Sequence, residues 1–277
     1  MRFNIYSTMK YLILICSSLL AMQLSFAQDV NPQQEDRMPE NTYNLNHIRW
    51  NVVPLLSGNI TLEYERVLNK KIAVAAAVGW RPSGKMPYRS VLTDIIDDET
   101  VNTFLQDLET STTSFTPEVR FYLSKRGYGN GFYIAPYMKF AKYDFNVPYA
   151  YDVTIAYQGQ VLYDRQETIL FKGDLSTFSM GLSAGFNFRL TKNIHLDWRI
   201  LGPGYGQSRG NLAGRITLNA DEQNGLNQQL EELQESLDDL PLKFNVDFSV
   251  HGNGADIKVN KSPWANIRSG LSIGFSF

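Results

Sequence analysis

Between Phe178 and Leu190 the chain alternates without a break. Phe178, Met180, Leu182, Ala184, Phe186, Phe188 and Leu190 fall on one face, and Ser179, Gly181, Ser183, Gly185, Asn187 and Arg189 on the other. A period of two sustained over this length predicts a β-strand with one wholly apolar side. The C-terminus repeats the pattern, with Ala265, Ile267, Leu271, Ile273, Phe275 and Phe277 alternating with smaller or polar residues, and so does Ile194, Leu196, Trp198, Ile200 against His195, Asp197 and Arg199. The polar face is the informative one. A soluble sandwich tolerates any polar residue on its wet side, whereas here that side is mostly Gly, Ser and Asn with scattered Arg and Asp. Small side chains with a few charges suit the interior of a narrow closed barrel, and a broad aromatic-rich face suits contact with lipid.

Eight such segments are predicted, near 47–57, 59–68, 71–81, 113–124, 132–145, 174–190, 193–206 and 263–277. Each is as long as a tilted membrane strand of about 9–11 residues or longer. An even number lets the wall close without an open edge, which lipid does not tolerate. The connections alternate between short turns, at 68–71, 124–131 and 191–193, and long loops, at about 82–112, 146–173 and 207–262. That is the pattern of periplasmic turns and extracellular loops; only the link at 57–59 is short on the outer side. Residues 149–171 read as a hairpin around Gly159 that carries two strands beyond the membrane. In the last long loop, Leu226, Leu230, Leu233, Leu237 and Leu240 recur at steps of four and three, one apolar stripe of a helix over Asp221–Leu240 that ends before Pro241. The stripe either packs on the extended strands and barrel mouth or meets a partner.

The N-terminus sets the compartment. Arg2 and Lys10 precede an apolar run from Tyr11 to Leu24, followed by Ser25, Phe26 and Ala27. This describes a secretory signal peptide cut after Ala27, too short for a spanning helix of roughly 20 residues. Residues 28–46 are polar, with Pro32 and Pro39, and read as a flexible periplasmic tail; 47–277 form the barrel. No later apolar run is long enough for a membrane helix. Removing the signal takes two of the 26 basic residues and none of the 28 acidic ones, leaving a formal charge of −4. That sign argues against nucleic acid as a partner. The single cysteine, Cys16, leaves with the signal, so no disulfide or thiol chemistry remains. Three histidines distant in sequence make no metal-ligand spacing, and no cofactor is expected.

Parity places Arg49, Glu63, Glu65, Glu118, Arg120, Lys139, Arg189, Asp197, Arg199 and Arg268 in the lumen. Buried charges need partners, so these predict an ion-pair network plugging a barrel that is only wide enough for side chains. A narrow conducting path is the alternative; with six basic residues to four acidic ones, an anion is its favoured guest. Phe275 and Phe277, an aromatic end to an alternating last strand, predict an assembly signal read by the outer-membrane assembly machinery. The loops are acidic. Residues 92–110 carry Asp94, Asp97, Asp98, Glu99, Asp107 and Glu109, and residues 219–240 carry seven more acids, with no Lys or Arg in either stretch. Such a surface suits a cationic or extracellular protein partner. The acids at 94–99 do not have the spacing of an EF-hand. His251 lies near Ser249 and Asp247, but no nucleophile elbow accompanies them, and His47 and His195 fall at the periplasmic end.

The run Asn51–Lys70, with Leu-Glu-Tyr-Glu-Arg-Val-Leu at 62–68, followed by Val78-Gly-Trp80 and ending Gly270-Leu-Ser-Ile-Gly-Phe-Ser-Phe277, resembles the small Bacteroidetes outer-membrane barrels classed only as a domain of unknown function, of the OmpA/OmpX-like eight-stranded type. The resemblance implies an eight-stranded barrel over most of the mature chain and no assigned activity; the acidic helix and long fourth loop look like an elaboration on it. The expectation is therefore an all-β, eight-stranded antiparallel transmembrane β-barrel in the outer membrane, with long extracellular loops, one containing an amphipathic helix. It is surrounded by outer-membrane lipid, it is not an enzyme, and its role is structural or loop-mediated binding. A small channel and an outer-leaflet lipid-modifying enzyme are the alternatives.

Overall fold

In the computed structural model, which describes residues 44–87, 108–125, 127–157, 160–238 and 245–277, the alternating segments become nine strands of one antiparallel sheet. The expected signal peptide, the expected tail up to Tyr43 and the acids Asp94, Asp97, Asp98, Glu99 and Asp107 lie outside the described residues, as do Leu240 and the side chains of Leu233 and Leu237. The strands are β1 (Asn46–Asn51), β2 (Ile60–Val67), β3 (Ile72–Lys85), β4 (Glu109–Tyr122), β5 (Gly131–Tyr157), β6 (Gln160–Arg189), β7 (Ile194–Arg215), β8 (Val246–His251) and β9 (Gly254–Ser276). One helix, α1 (Ala220–Asp238), lies between β7 and β8. None of the described helices is long and apolar enough to cross a membrane.

Neighbouring strands pair in sequence order from β1 to β7, β7 pairs with β9, and β9 returns to β1. The registers His47↔Ser276, Ile48↔Phe275 and Trp50↔Ile273 close the sheet into a ring of eight strands. Phe277 completes the seam: its N–H donates to the Asn46 carbonyl, and its own carbonyl accepts from Asn46. Closure removes the unpaired edges that an open sheet leaves. The short strand β8 is the ninth. It takes the edge of β9 beyond the point where β1 stops, pairing Val246↔Val259 through His251↔Gly254.

Both chain ends of the ring and the three short turns share one end. The Asn69 side chain holds one turn by accepting from the N–H groups of Lys71 and Ile72 at 2.8 and 2.9 Å, and Thr191 does the same for Ile194 at 3.1 Å. In the β4–β5 turn, Gly127 and Gly129 adopt left-handed φ of 64° and 76°, where a side chain is strained. The strand ends that lead into the long connections lie at the opposite end.

Three boundaries differ from the sequence expectation. The segment 47–57 is strand only to Asn51; Val53–Ser57 is a 3-10 helix with Pro54 in its first turn and Gly58 closing it at φ 70°. Proline has no N–H for the ladder, and the Gly58 N–H instead donates to the Leu55 carbonyl. The tail ends earlier than residue 46, since the Asn44 side chain already donates to the Ser276 carbonyl. The strands at the long-loop end outrun their expected spans: β5 and β6 stay paired from Gly131↔Asn187 to Tyr157↔Gln160, the extended hairpin read around Gly159.

The inward faces of these extensions hold an apolar core, with Val147, Tyr149, Tyr151, Ile169, Phe171 and Ala255 packed around Leu226 and Leu230 of α1. The described part of the leucine stripe is thus spent on packing. Asn219 and Glu222 cap α1 reciprocally: the Glu222 N–H donates to Asn219 Oδ1 at 3.0 Å and the Asn219 N–H to Glu222 Oε2 at 2.9 Å. Glu222 is therefore a capping residue.

Candidate functional site

Alternation dictates that the ring turns one face of every strand inward, and those inward positions carry the charge. Arg49 on β1, Glu63 and Glu65 on β2, Glu118 and Arg120 on β4, and Asp197 and Arg199 on β7 are all buried, and Arg268 on β9 is nearly so. The structure brings these eight together. Arg120, fully buried, is the hub: Nε reaches Glu118 Oε1 at 2.6 Å, Nη1 reaches Asp197 Oδ2 at 2.8 Å and Glu65 Oε2 at 2.9 Å, and Nη2 donates to Glu63. Arg49 Nη1 bridges Glu65 at 2.8 Å and Glu63 at 3.2 Å. Arg199 Nη2 joins Glu63 to Glu118, at 2.9 Å each. Arg268 Nη1 closes the upper side on Glu118 Oε2 at 2.7 Å. Four guanidiniums face four carboxylates, so the cluster is balanced.

Tyrosines finish what the arginines leave open. Tyr122 donates to Glu65 Oε1 and Tyr133 to Asp197 Oδ1, each at 2.9 Å, and Arg120 lies 4.5 Å over the Tyr133 ring. The neighbouring strand makes room for these rings with glycine: a Cβ on Gly185 would lie 2.5 Å from the Tyr133 hydroxyl, and one on Gly181 would lie 2.6 Å from that of Tyr137. At Gly181 and Gly185 the tyrosine opposite, together with a backbone carbonyl of β7, thus leaves no room for a side chain. At the short-turn end His47 and His195 are buried edge to face, with ring centroids 4.6 Å apart. Among the described residues no three His, Cys, Asp or Glu side chains could hold a metal ion.

Two of the ten expected lumen charges are not in the cluster. Arg189 has the inward parity but sits where β6 meets its turn, and it donates to the carbonyls of Thr191 and Lys192. Lys139 lies on β5, two residues beyond Tyr137 and on the long-loop side of the cluster. The expected six-to-four basic excess is therefore not a property of the ion-pair cluster itself. Sequence reasoning missed Arg81, buried and inward on β3 and donating to Thr110 Oγ1, and it missed Tyr122, Tyr133 and Tyr137. Parity along each strand was signal enough for all four. His251 pairs with Asp256 and Arg215, and Asp247 accepts from Asn260, so Asp247, Ser249 and His251 do not converge as a triad.

The outer face has the opposite character. Trp50, Leu62, Val78, Phe115, Met138, Leu182, Leu201 and Phe275, spread over the ring's strands, are all exposed. Leu182 is 54% exposed while Ser183, its neighbour, is 1% exposed. A closed antiparallel ring with a charged interior and an apolar exterior is of the outer-membrane β-barrel type. Residues 21–212 match the family described as "Protein of unknown function (DUF3575)", and the chain belongs to that family. No curated protein matches it. It is similar to the N-terminal β-barrel domain of Pseudomonas aeruginosa OprF, at 10% identity over 85% of this chain and 98% of that one, with a TM-score of 0.25. At that score the architecture stands on the strand pairing alone.

Proposed function

We propose that the protein is an integral outer-membrane barrel whose eight-stranded ring spans the bilayer, with its lumen closed by ion pairs and its long loops presenting a structural or binding surface outside the cell. The observation that carries this reading is the inversion of polarity: large apolar side chains cover the exposed wall while arginine and glutamate fill the interior. A water-soluble protein that exposed such a belt would aggregate; in a bilayer the belt is its solvent. The short turns and both ends of the ring belong on the periplasmic side by this reading, and the extended β5–β6 hairpin, α1 and β8 on the extracellular side.

The balanced cluster supports a plugged barrel over an open channel, because guanidinium–carboxylate contacts cross the lumen from β1, β2, β4, β7 and β9. A role without catalysis is supported by the histidines: His47 and His195 lie at the short-turn end, and His251 is engaged with Asp256. The remaining loop acids suit a cationic or protein partner. The mature protein is expected to fractionate with outer membranes and to migrate faster on gels before boiling than after. Recovery as a soluble periplasmic protein overturns the reading.

Assembly gives a second check. Phe275 and Phe277 are half exposed on the outer face of the closing strand, and Phe277 pairs with Asn46 through its backbone. Phe277→Asp leaves those backbone groups in place but sets a carboxylate at the strand end that the assembly machinery would read. Membrane insertion is expected to fall while export continues, measured as periplasmic accumulation of unboiled, slow-migrating protein. Insertion at the normal level would show that Phe277 is no signal.

A further inference from the structure

On the outer wall the polarity changes between one row of side chains and the next. Leu62, Val78, Phe115, Phe140 and Phe178 are consecutive cross-strand partners from β2 to β6, all outward and all apolar. Two residues nearer the long connections, the next outward row runs Ile60, Trp80, Thr113, Lys142, Ser176 and Arg209. A tryptophan beside hydroxyls and cations is what the boundary between hydrocarbon and headgroups collects, so this row marks the edge of the apolar belt. The two rows wall a groove of about 750 Å³ on β2 to β6, with Lys142 and Ser176 on its rim. Lys142 and Arg209 flank Ser176 on the strands either side of it, about 10 Å apart at the backbone, and the short serine between them leaves a notch that both long side chains reach over. Arg209 is exposed and has no ion pair among the described residues. Beyond it the register of β7 and β9 slips between Ser208 and Gly210, which sets Lys261, exposed and likewise without an ion pair among the described residues, opposite Arg209. Lys142 lies 3.8 and 3.7 Å from Asp144 and Asp174, the outward partners of the following row, but contacts between groups this exposed are weak.

We propose that this boundary is a docking groove for an anionic, phosphate-bearing lipid of the leaflet on the long-loop side, with its phosphate between Lys142 and Arg209 over Ser176 and an acyl chain laid along Phe140, Phe115 and Val78. The groove takes hydrocarbon, the notch takes the phosphate, and ammonium and guanidinium supply the donors that phosphate oxygens accept. Lys261 adds a third positive charge beside Arg209. A soluble oxyanion would satisfy the cations but leave the apolar groove below them uncovered, so the occupant is a lipid. This rests on the bilayer-spanning reading of the ring and adds the lipid chemistry that its outer rim selects.

The test is native mass spectrometry of the refolded full-length chain in uncharged detergent, titrated with phosphatidylglycerol and, separately, with phosphatidylcholine. Heat-modifiable migration checks folding. The first phosphatidylglycerol is expected to bind at least about fivefold more tightly than phosphatidylcholine, and the double variant Lys142→Gln/Arg209→Gln to lose that preference, on the scale of about fivefold for each cation near a membrane surface. Val78→Trp, which fills the groove from the exposed wall, should weaken both lipids, and Lys192→Gln, at the short-turn end, should change neither. Equal affinity for the two lipids in the parent chain, an unchanged preference in the double variant, an equal loss in Lys192→Gln, or displacement of the lipid by an equal concentration of inorganic phosphate would each overturn the proposal. If the double variant does not fold, Val78→Trp reads the same groove and must weaken binding for the proposal to stand. Insertion of the chain into vesicles without any lipid preference overturns this site alone, whereas failure to insert overturns the bilayer-spanning reading and the site with it.

Discussion

Arg120→Met is expected to cost about 3–5 kcal/mol of barrel stability, the scale for removing one partner of a buried charged network. Among the described residues Arg120 is the one side chain in contact with all four carboxylates, Glu63, Glu65, Glu118 and Asp197. Methionine fills most of its volume, so the loss is chiefly electrostatic: Asp197 keeps only Tyr133 and the long 3.9 Å contact with Arg49, and the cluster's balance shifts by one negative charge. Arg268→Met removes the same charge from the rim, where one contact to Glu118 is made and some solvent remains, and should cost markedly less. Urea unfolding from lipid vesicles measures both. Equal costs would mean that the cluster has no hub, and a cost under about 1 kcal/mol for Arg120 would put the pair with surface salt bridges. Buried pairs are weak evidence for stability in themselves. The expected loss reports what is left unpaired once the arginine is gone.

Parity was legible in the chain and height was not. Alternation alone placed Leu182 outside and Ser183 inside, and it put eight charges on the inner face that do meet. Which of them meet depends on strand tilt and on the stagger of the ring, neither of which is written in any single strand. Arg120 and Asp197 are 77 residues apart and touch; Arg189, with the same inward parity as Asn187, lies too near the turn to reach the cluster. Lys139 is displaced the other way, above it. Arg81 escaped notice because it fell on the last residue of its expected strand, where β3 in fact runs on to Lys85.

The helix and the extended hairpin were legible for a different reason: leucines at steps of three and four, and alternation on both sides of Gly159, are local signals. Their destination was not local. Leu226 and Leu230 meet Tyr149, Tyr151, Ile169 and Phe171 only because β5 and β6 continue past the rest of the ring and turn an apolar inner face to α1. The end of β1 was misplaced because Val52 through Leu56 is an apolar run that reads as strand, while the missing N–H of Pro54 ends the ladder there.

Leu182→Arg places a charge on the exposed wall and is expected to destabilise by about 2–4 kcal/mol if that wall faces lipid near mid-bilayer. Its neighbour provides the contrast. Ser183 is buried, its Oγ donates to the Ala135 carbonyl at 3.2 Å, and a Cβ on Gly202 would come within 2.7 Å of its own. Arginine at 183 would overpack that contact and add a fifth guanidinium beside a balanced cluster, a cost that does not depend on lipid. The two variants thus fail for different reasons, and labels separate them where energies do not. A spin label on Leu182→Cys in vesicles should be quenched by oxygen and protected from an aqueous quencher, whereas one on Ser183→Cys should be immobilised or fail to react. If both positions were equally open to the aqueous quencher, the wall at its most regular strand would be facing water, and the membrane reading would fall with it.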